Sequence, residues 1–131
     1  MTETSEFVIG RHNTSCKHYD LVLGINGVTR HWIIPNSIPK KYGDKKIAIE
    51  EKETAFFPQI GEDERAAGDS WGEGKWSVWD EGSFEIEASS GIKLVIKPSG
   101  ERFKGRYLLL VPGWGKWTGK RLWVLEKIKE R

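Results

Sequence analysis

The feature of this sequence that most constrains its fold is a pair of alternating apolar and polar stretches joined by Asn26-Gly27. Residues 18–25 and 28–34 each carry apolar side chains at every second position, which is the period of a half-buried β-strand. Asn-Gly is a preferred pair for the two-residue type I′ turn. We therefore predict a β-hairpin in which residues whose numbers sum to 53 lie opposite one another, so that His31 faces Val22.

The same period recurs along most of the chain, and helical spacing is hard to find. Turn residues at 81–82, 89–91 and 98–100 separate the apolar runs. Eight short strands are typical of a closed barrel or a sandwich, and we predict an all-β fold, a small closed or partly open β-barrel of about eight strands with long irregular loops. Beside the hairpin, the predicted strands are residues 46–51, 75–80, 83–87, 92–97, 102–111 and 121–128. The stretches left without an assignment are 35–45 and 58–74.

The length of the chain fits one domain. A chain of 131 residues buries about two-thirds of its unfolded surface in a single core, so we predict one domain over residues 1–131, with residues 1–6 as a flexible tail. No stretch approaches the roughly 18 consecutive apolar residues of a membrane helix, and the first residues lack signal-peptide features. Cys16 is the only cysteine, which excludes an internal disulfide and fits a reducing compartment. These observations predict a soluble, cytoplasmic protein with no membrane partner.

Charge and aromatic content bear on nucleic-acid binding. The formal net charge is only +2, so a basic surface must be local if there is one. Among seven tryptophans, Trp114 and Trp117 lie in a segment rich in glycine and basic residues, which makes them candidates for stacking on single-stranded nucleic acid. The tryptophans predicted to lie in the core are Trp32, Trp76, Trp79 and Trp123.

A candidate metal site comes from the first strand of the hairpin. His18 and Asp20 point to the same face, about 6.6 Å apart along the strand. A histidine nitrogen and a carboxylate oxygen suit Mn²⁺, Fe²⁺ or Zn²⁺, and His12 and His31 are close enough in sequence and register to join them. The alternative is that these histidines are hydrogen-bonded structural residues, and spacing alone does not decide between the two.

Several separate motifs, in order, resemble the 3′-phosphoesterase domain of bacterial DNA ligase D and its stand-alone archaeal relatives, over residues 7–127. The motifs are Phe7-Val-Ile-Gly-Arg-His12, Lys17-His-Tyr-Asp20, Asn26-Gly-Val28, Trp32-Ile-Ile-Pro35, Trp71-Gly-Glu-Gly74, Val78-Trp-Asp-Glu-Gly82, Gly100-Glu-Arg-Phe-Lys-Gly-Arg106 and Leu122-Trp-Val-Leu-Glu-Lys127. The resemblance implies a small β-barrel whose divalent metal, usually Mn²⁺, helps to remove 3′-phosphates and 3′-ribonucleosides from DNA ends in break repair. It places the metal ligands on His12, His18 and Asp20, and it implies DNA 3′ ends and a separate repair ligase or polymerase as partners.

The chain departs from the family pattern where phosphate is bound. Val22 replaces an arginine, Asn36 replaces a lysine, and Thr54 aligns with a histidine. Losing three charge-assisted hydrogen bonds costs about 6 kcal/mol, on the order of 10⁴ in rate. We hypothesise that His31 is a fourth metal ligand or a substitute phosphate donor, and we predict His18 and His31 as catalytic residues. The other predicted substrate-binding residues are the cations Arg11, Lys46, Lys104 and Arg106, with Lys17 as a further cation able to reach a phosphate, beside Trp114 and Trp117.

Two functions follow from these residues. The first is a divalent-metal phosphoesterase acting on DNA 3′ ends, with Mn²⁺ as the expected ion and Zn²⁺ or another transition metal as alternatives. The second is a degenerate relative that binds nucleic-acid ends, or a repair ligase or polymerase, without turnover. A sugar-binding, tryptophan-rich barrel is disfavoured by the histidine and aspartate on one strand face.

Overall fold

Nine β-strands make up the regular structure in the part of the chain that the structure describes. A computed structural model describes residues 5–14, 16–25, 27–51, 64–69, 72–113 and 122–130, with the backbone alone for residues 64–69, 72 and 73. The strands are β1 Ser5–Asn13, β2 His18–Ile25, β3 Val28–Ile34, β4 Lys45–Glu51, β5 Glu64–Asp69, β6 Gly72–Ser89, β7 Lys93–Ser99, β8 Arg106–Leu110 and β9 Leu122–Ile128.

Eight of these strands close into an antiparallel barrel. The hydrogen-bonded order is β1-β2-β3-β4-β9-β8-β7-β6, and β1 pairs with β6 to complete the ring. Strand β6 has 18 residues, so one of its edges pairs with β1 while the other pairs first with β5 and then with β7. The predicted all-β barrel is confirmed. Among the described residues, no helix is long and apolar enough to cross a membrane.

The barrel interior contains the main hydrophobic core. Strand positions alternate between the interior and the outer wall, so side chains two residues apart meet inside. Trp32 and Trp123 are at most 1% exposed there and pack edge to face with ring centroids 5.7 Å apart, which confirms their predicted place in the core. Trp76 is also fully buried, but it belongs to a second cluster on the outer wall, packed with Val8 and Val22.

The predicted hairpin is correct at both strand bounds and in register. Val22 lies opposite His31 and Tyr19 lies opposite Ile34, as the two-residue turn requires. Gly27 has a φ of 81°, the positive value that the second central residue of a type I′ turn adopts. Asn26 lies outside the described residues.

The predicted turn at residues 81–82 is wrong, because β6 runs through it without interruption. A Cβ on Gly82 would lie 2.9 Å from the Ser99 carbonyl oxygen and 3.2 Å from the Phe7 ring. Glycine at this position therefore allows two backbones to approach closely and does not end the strand. The turn predicted at 98–100 lies slightly later, since Pro98 and Ser99 belong to β7 and the Gly100 N–H donates to the Phe103 carbonyl over 2.9 Å.

Two strands were not predicted from the sequence. Strand β1 begins at Ser5, within the segment expected to be a tail, and residues 1–4 lie outside the described part. Its apolar run Phe7, Val8 and Ile9 is buried on both faces and so lacks the alternation that identifies a half-buried strand. Strand β5 lies within residues 58–74, for which the sequence pattern predicts no element.

Asp80 fastens the connection between β7 and β8 to the barrel wall. Its carboxylate accepts N–H groups from Glu101 at 3.2 Å, Arg102 at 2.9 Å and Phe103 at 2.7 Å. Residues 100–105 are thereby held in an irregular loop, and the strand predicted from residue 102 begins only at Arg106.

The segment between β3 and β4 is anchored in a similar way. This segment lacks regular structure until β4 begins at Lys45. The sequence pattern likewise predicts no element over residues 35–45. Ile38 is 3% exposed within the main core, and the buried hydroxyl of Tyr107 donates to the Pro39 carbonyl over 2.8 Å. An apolar side chain and a buried hydrogen bond therefore hold this loop against the barrel.

Candidate metal centre

Strands β1 and β2 bring the three predicted metal ligands together on the outer wall of the barrel. His12 lies directly opposite His18, and Gly10 lies opposite Asp20. Side chains of opposed residues share a face, and Asp20 is therefore the diagonal neighbour of His12. The three ligand side chains lie on the face opposite to the main core.

The geometry of the cluster is tight. Nδ1 of His12 lies 3.0 Å from Oδ2 of Asp20, and Nε2 of His18 lies 3.3 Å from Oδ1. The two imidazole rings are 4.9 Å apart between centroids, and one potential ligand atom from each of the three residues lies within 4.8 Å of the others. All three residues are buried, with at most 4% of their surface exposed. These three residues could hold a metal ion.

A backbone carbonyl orients His18. Nδ1 of His18 donates to the Cys16 carbonyl over 2.7 Å, so Nε2, which faces Asp20, is the ring nitrogen that could bind a metal. The Thr14 hydroxyl supports this carbonyl, because it donates to it over 2.8 Å and accepts the Cys16 N–H over 3.0 Å. The segment between β1 and β2 thus fixes the ring by backbone contacts, which the sequence motif did not reveal.

His31 contacts Asp20 from the neighbouring strand β3. Its Nε2 is 2.7 Å from Oδ1 of Asp20, and the side chain is 2% exposed. It is opposite Glu51 in the pairing of β3 with β4, and Glu51 is buried as well. Within the described part of the chain, the group of residues that could hold a metal comprises His12, His18 and Asp20. The structure therefore shows His31 in contact with the carboxylate of Asp20.

Three histidines determine the ionisation of Asp20. Burial raises the pKa of its carboxyl group, but hydrogen bonds from His12, His18 and His31 outweigh burial and hold the pKa well below its usual range. Asp20 is therefore an anionic carboxylate, the form in which it binds a metal.

An indole ring forms the wall beside the cluster. A Cβ on Gly10 would lie 1.9 Å from the Trp76 ring, so the indole occupies the space that any other side chain at position 10 would need. Gly10 lies opposite Asp20, which places this buried ring next to the ligands. The predicted burial of Trp76 is correct, but the ring shields the outer wall and is not part of the barrel interior.

An open cleft of about 190 Å³ leads to the two histidines of the cluster, His12 and His18. Arg11 and Lys17 are exposed at its sides. The residues that line it are Arg11, His12, Asn13, Lys17, His18, Tyr19 and Asn36. Two cations thus lie where a phosphate entering the cleft would meet them.

The other predicted substrate-binding residues lie apart from this cleft. Lys46 lines a different groove, formed by β4, β8 and β9. Lys104 is exposed in the loop before β8, and Arg106 forms an ion pair with Glu87. Their roles, like the catalytic roles of His18 and His31, stay predictions. Trp114 and Trp117 lie outside the described residues.

The donor set fits a divalent transition metal. Two imidazole nitrogens and one carboxylate oxygen are the ligands that Fe²⁺, Mn²⁺ and Zn²⁺ share in proteins, and the hydrogen bond from Nδ1 of His18 orients the other ring nitrogen toward the cluster. Three protein ligands leave further coordination positions for water or substrate. The cluster could therefore support metal-assisted chemistry at the base of the cleft.

Comparison with known proteins gives one family. Residues 10–111 match the family model of the DNA ligase D 3′-phosphoesterase domain. The multifunctional non-homologous end joining DNA repair protein LigD of Mycobacterium tuberculosis strain H37Rv is 28% identical over 121 residues, which cover 88% of this chain and 16% of the relative. LigD of Mycolicibacterium smegmatis is 27% identical over 133 residues, covering 89% and 17%. The chain thus spans only about a sixth of the length of these relatives.

Proposed function

This chain belongs to the DNA ligase D 3′-phosphoesterase domain family, and on that premise we propose that it is a divalent-metal-dependent phosphoesterase that processes DNA 3′ ends in break repair by non-homologous end joining. The observation that carries the proposal is the buried cluster of His12, His18 and Asp20 at the base of a cleft with cationic sides. Metal ligands that a phosphate can reach are the minimum that this chemistry needs.

The proposed reaction is hydrolysis at the 3′ end. Water attacks the phosphorus, the bond to the departing oxygen breaks, and that oxygen takes a proton. A 3′-phosphate then yields a 3′-hydroxyl and inorganic phosphate, and a terminal 3′-ribonucleoside is released in the related reaction. A bound Mn²⁺ ion, or Zn²⁺ in its place, would offset the negative charge that develops on the phosphoryl oxygens.

The protein's own residues have separate tasks in this proposal. His12, His18 and Asp20 hold the ion, and the Cys16 carbonyl keeps the His18 ring in its orientation. Arg11 and Lys17 attract the phosphate at the mouth of the cleft. Their exposure allows them to take over part of the binding that the family assigns to the arginine and lysine replaced here by Val22 and Asn36.

A second function has an observation in its favour. Val22 is fully buried beneath Trp76 and Val8, so the position that carries an arginine in the family offers no charge to a phosphate. Asn36 lines the cleft with a neutral amide. A protein with these substitutions could bind DNA ends, or a separate repair ligase or polymerase, without turnover.

The decisive experiment measures turnover and metal binding together. The purified chain is incubated with Mn²⁺ and a primer-template that ends in a 3′-phosphate, beside the variants His18→Ala and Lys93→Ala. Lys93 is an exposed residue of β7 and serves as the matched control. We expect His18→Ala to lower the rate by about 10³-fold, because several kcal/mol of charge stabilisation depend on the ion. Lys93→Ala should retain the full rate.

The outcomes separate the two functions. Turnover that is lost in His18→Ala and on chelation supports the phosphoesterase. Binding of Mn²⁺ and DNA by the wild-type chain without release of phosphate supports the second function. Failure to bind any divalent metal, measured by calorimetry, overturns both the metal site and the phosphoesterase proposal.

A further inference from the structure

A half-buried aromatic pair and an exposed arginine continue outward from the cleft. Tyr19 lines the cleft next to His18, and its ring lies 5.6 Å from that of Trp79 in an edge-to-face arrangement. The guanidinium carbon of Arg102 lies 5.2 Å from the centre of the Trp79 ring. We call Tyr19, Trp79 and Arg102 the aromatic ledge.

The backbone fixes each member of the ledge. The pairing of β1 with β6 shifts register between Ile9 and Gly10, which pair with Asp80 and Val78, so Trp79 is the extra residue of a β-bulge. A bulge turns its side chain away from the regular strand direction. Arg102 is held by its N–H, which donates to the Asp80 carboxylate over 2.9 Å. The backbone positions of Trp79 and Arg102 are therefore set by the fold and need no ligand.

The ledge is accessible, whereas a similar cluster elsewhere is closed. Arg30 also lies over two indoles, those of Trp32 and Trp123, at 4.8 and 5.3 Å. Those rings are at most 1% exposed and Arg30 forms an ion pair with Glu50 at 2.8 Å, so the two indoles of that cluster offer no surface to a base. In the ledge, by contrast, Tyr19 and Trp79 are only partly buried against the core, and Arg102 is exposed.

Exposed cations flank the ledge on the cleft side. Arg11 lies opposite Tyr19 in the pairing of β1 with β2, and Lys17 also lines the cleft. Partly exposed aromatic rings beside a row of cations form the surface to which single-stranded nucleic acid binds, because bases stack on rings and phosphates contact the cations. The low net charge of the whole chain is consistent with a local basic surface of this kind.

We propose that the aromatic ledge binds the last bases of a single-stranded DNA 3′ end and so delivers the terminal phosphate to the metal-binding histidines. This inference rests on the proposed function, since it assumes that a 3′ end enters the cleft. Arg11 and Lys17 contact the backbone phosphates, while one or two bases stack against Tyr19 and Trp79 under Arg102. Each stacked base strengthens binding by about 5- to 150-fold.

The test measures equilibrium binding of DNA that the protein does not hydrolyse. Fluorescein-labelled oligothymidylates with a 3′-hydroxyl are titrated with the full chain at low salt in the presence of Mn²⁺, and fluorescence anisotropy gives Kd. One oligonucleotide is intact, and three others carry an abasic residue at one of the last three positions. We expect an abasic residue at one or two of these positions to raise Kd by about 5- to 150-fold, because backbone charge is kept while a stacked base is lost.

Two pairs of variants locate the effect on the ledge. Arg102→Gln should raise Kd for the intact oligonucleotide and reduce the abasic penalty, whereas the control Lys93→Gln should change neither. Trp79→Leu should abolish the abasic penalty and Trp79→Phe should retain part of it, with unchanged metal affinity as evidence that both variants are folded. Equal Kd for all four oligonucleotides, or a penalty that is unaffected by Arg102→Gln and Trp79→Leu, overturns the ledge. A chain that binds these oligonucleotides as expected but releases no phosphate from 3′-phosphate ends overturns the proposed activity alone.

Discussion

At the residue scale, the centre of the site is one carboxylate that meets three imidazoles. Nδ1 of His12 and Nε2 of His18 lie 3.0 and 3.3 Å from the Asp20 carboxylate oxygens, and these two nitrogens are the ones that could bind a metal. His31 approaches the same carboxylate from strand β3, at 2.7 Å. Once the first two rings donate their lone pairs to an ion, His31 is the imidazole that continues to donate a hydrogen bond to Asp20. Metal ligands commonly depend on such a partner for their orientation.

We predict that His31→Ala weakens metal binding by about 10- to 100-fold, because the Asp20 carboxylate loses the hydrogen bond that orients it. Calorimetric titration of the chain with Mn²⁺ measures the change, and Lys93→Ala serves as the control. The absorption spectrum of bound Co²⁺ separates this role from direct ligation, since it keeps its shape only if the ligand set is unchanged. Unaltered Mn²⁺ affinity in His31→Ala would remove His31 from the metal site altogether.

A second residue-scale prediction concerns the contact between Gly10 and Trp76. We expect Gly10→Ala to destabilise the protein by about 1–3 kcal/mol, because the added methyl group overlaps the indole and the wall beside the ligands has to shift. Gly91→Ala is the matched control, since a Cβ there meets nothing within 4 Å. Urea unfolding measures both changes. Equal stability of the two variants would contradict the close packing of Trp76 on β1.

At the element scale, structure that depends on neighbouring residues could be predicted from the sequence, whereas structure that depends on packing between distant strands could not. The β2–β3 hairpin is encoded by its own alternation and turn pair, so its bounds and register follow from the sequence. Gly82 shows the limit, because a glycine that ends a strand and one that admits the Ser99 carbonyl at 2.9 Å look alike in a sequence. Only the partner strand distinguishes them, and that partner is 17 residues away along the chain.

In the candidate site, too, the local pattern was predictable and the long-range contacts were not. His18 and Asp20 share a strand face by period alone, and the structure places His12 beside them. The sequence also predicts His31 on that face, but it cannot show that the His31 ring contacts the Asp20 carboxylate. The Cys16 carbonyl and the bulge at Trp79 leave no trace in residue type, since any residue supplies a carbonyl and a bulge depends on the pairing of β1 with β6. The sequence predicts Trp79 in the core, where the structure shows it partly buried and packed against the main cluster, but the sequence gives no sign of the aromatic ledge.

A prediction at the element scale concerns Asp80 and the loop between β7 and β8. Its carboxylate accepts three backbone N–H groups of the β7–β8 loop, so Asp80→Ala leaves all three without that acceptor. We expect a loss of about 3 kcal/mol in the free energy of unfolding, with a smaller loss for Asp80→Asn, which keeps one side-chain oxygen. Chemical denaturation measures the loss, and the exposed neighbour Glu81→Ala is the control. In Asp80→Ala, the amide hydrogens of residues 101–103 should exchange faster than in the wild type. Unchanged protection of these amides would contradict the role of Asp80 in anchoring the loop.

At the scale of the whole molecule, the closed barrel separates the core from the site. Strand β1 is paired on both edges, with β2 and β6, so the backbone that carries His12 has no free edge in that region. The core packs on one face of this wall, and the candidate metal cluster of His12, His18 and Asp20 lies on the other. Substitutions on the outer face can therefore change the cluster without disturbing the interior.

The loop between β3 and β4 gives a prediction for the stability of the whole fold. Burial raises the pKa of Tyr107 to about 12, while its hydroxyl donates to the Pro39 carbonyl over 2.8 Å. The folded protein therefore holds this proton more tightly than the unfolded chain, whose tyrosines titrate near 10. The stability contributed by the neutral hydroxyl is fully present below pH 10 and is lost as the pH rises toward about 12.

We predict that the free energy of unfolding of the wild-type chain falls more steeply between pH 10 and 12 than that of Tyr107→Phe. Lysines titrate in the same range, so the difference between the two proteins, measured by urea unfolding at each pH, isolates the tyrosine. Below pH 10 the variant should be less stable by about 0.5–1.5 kcal/mol, because it lacks the hydrogen bond to Pro39. Tyr42→Phe, at a side chain 59% exposed, is the control and should follow the wild type. If the difference between wild type and Tyr107→Phe stays constant across this range, the hydroxyl is not held neutral by burial and the loop is not fastened through it.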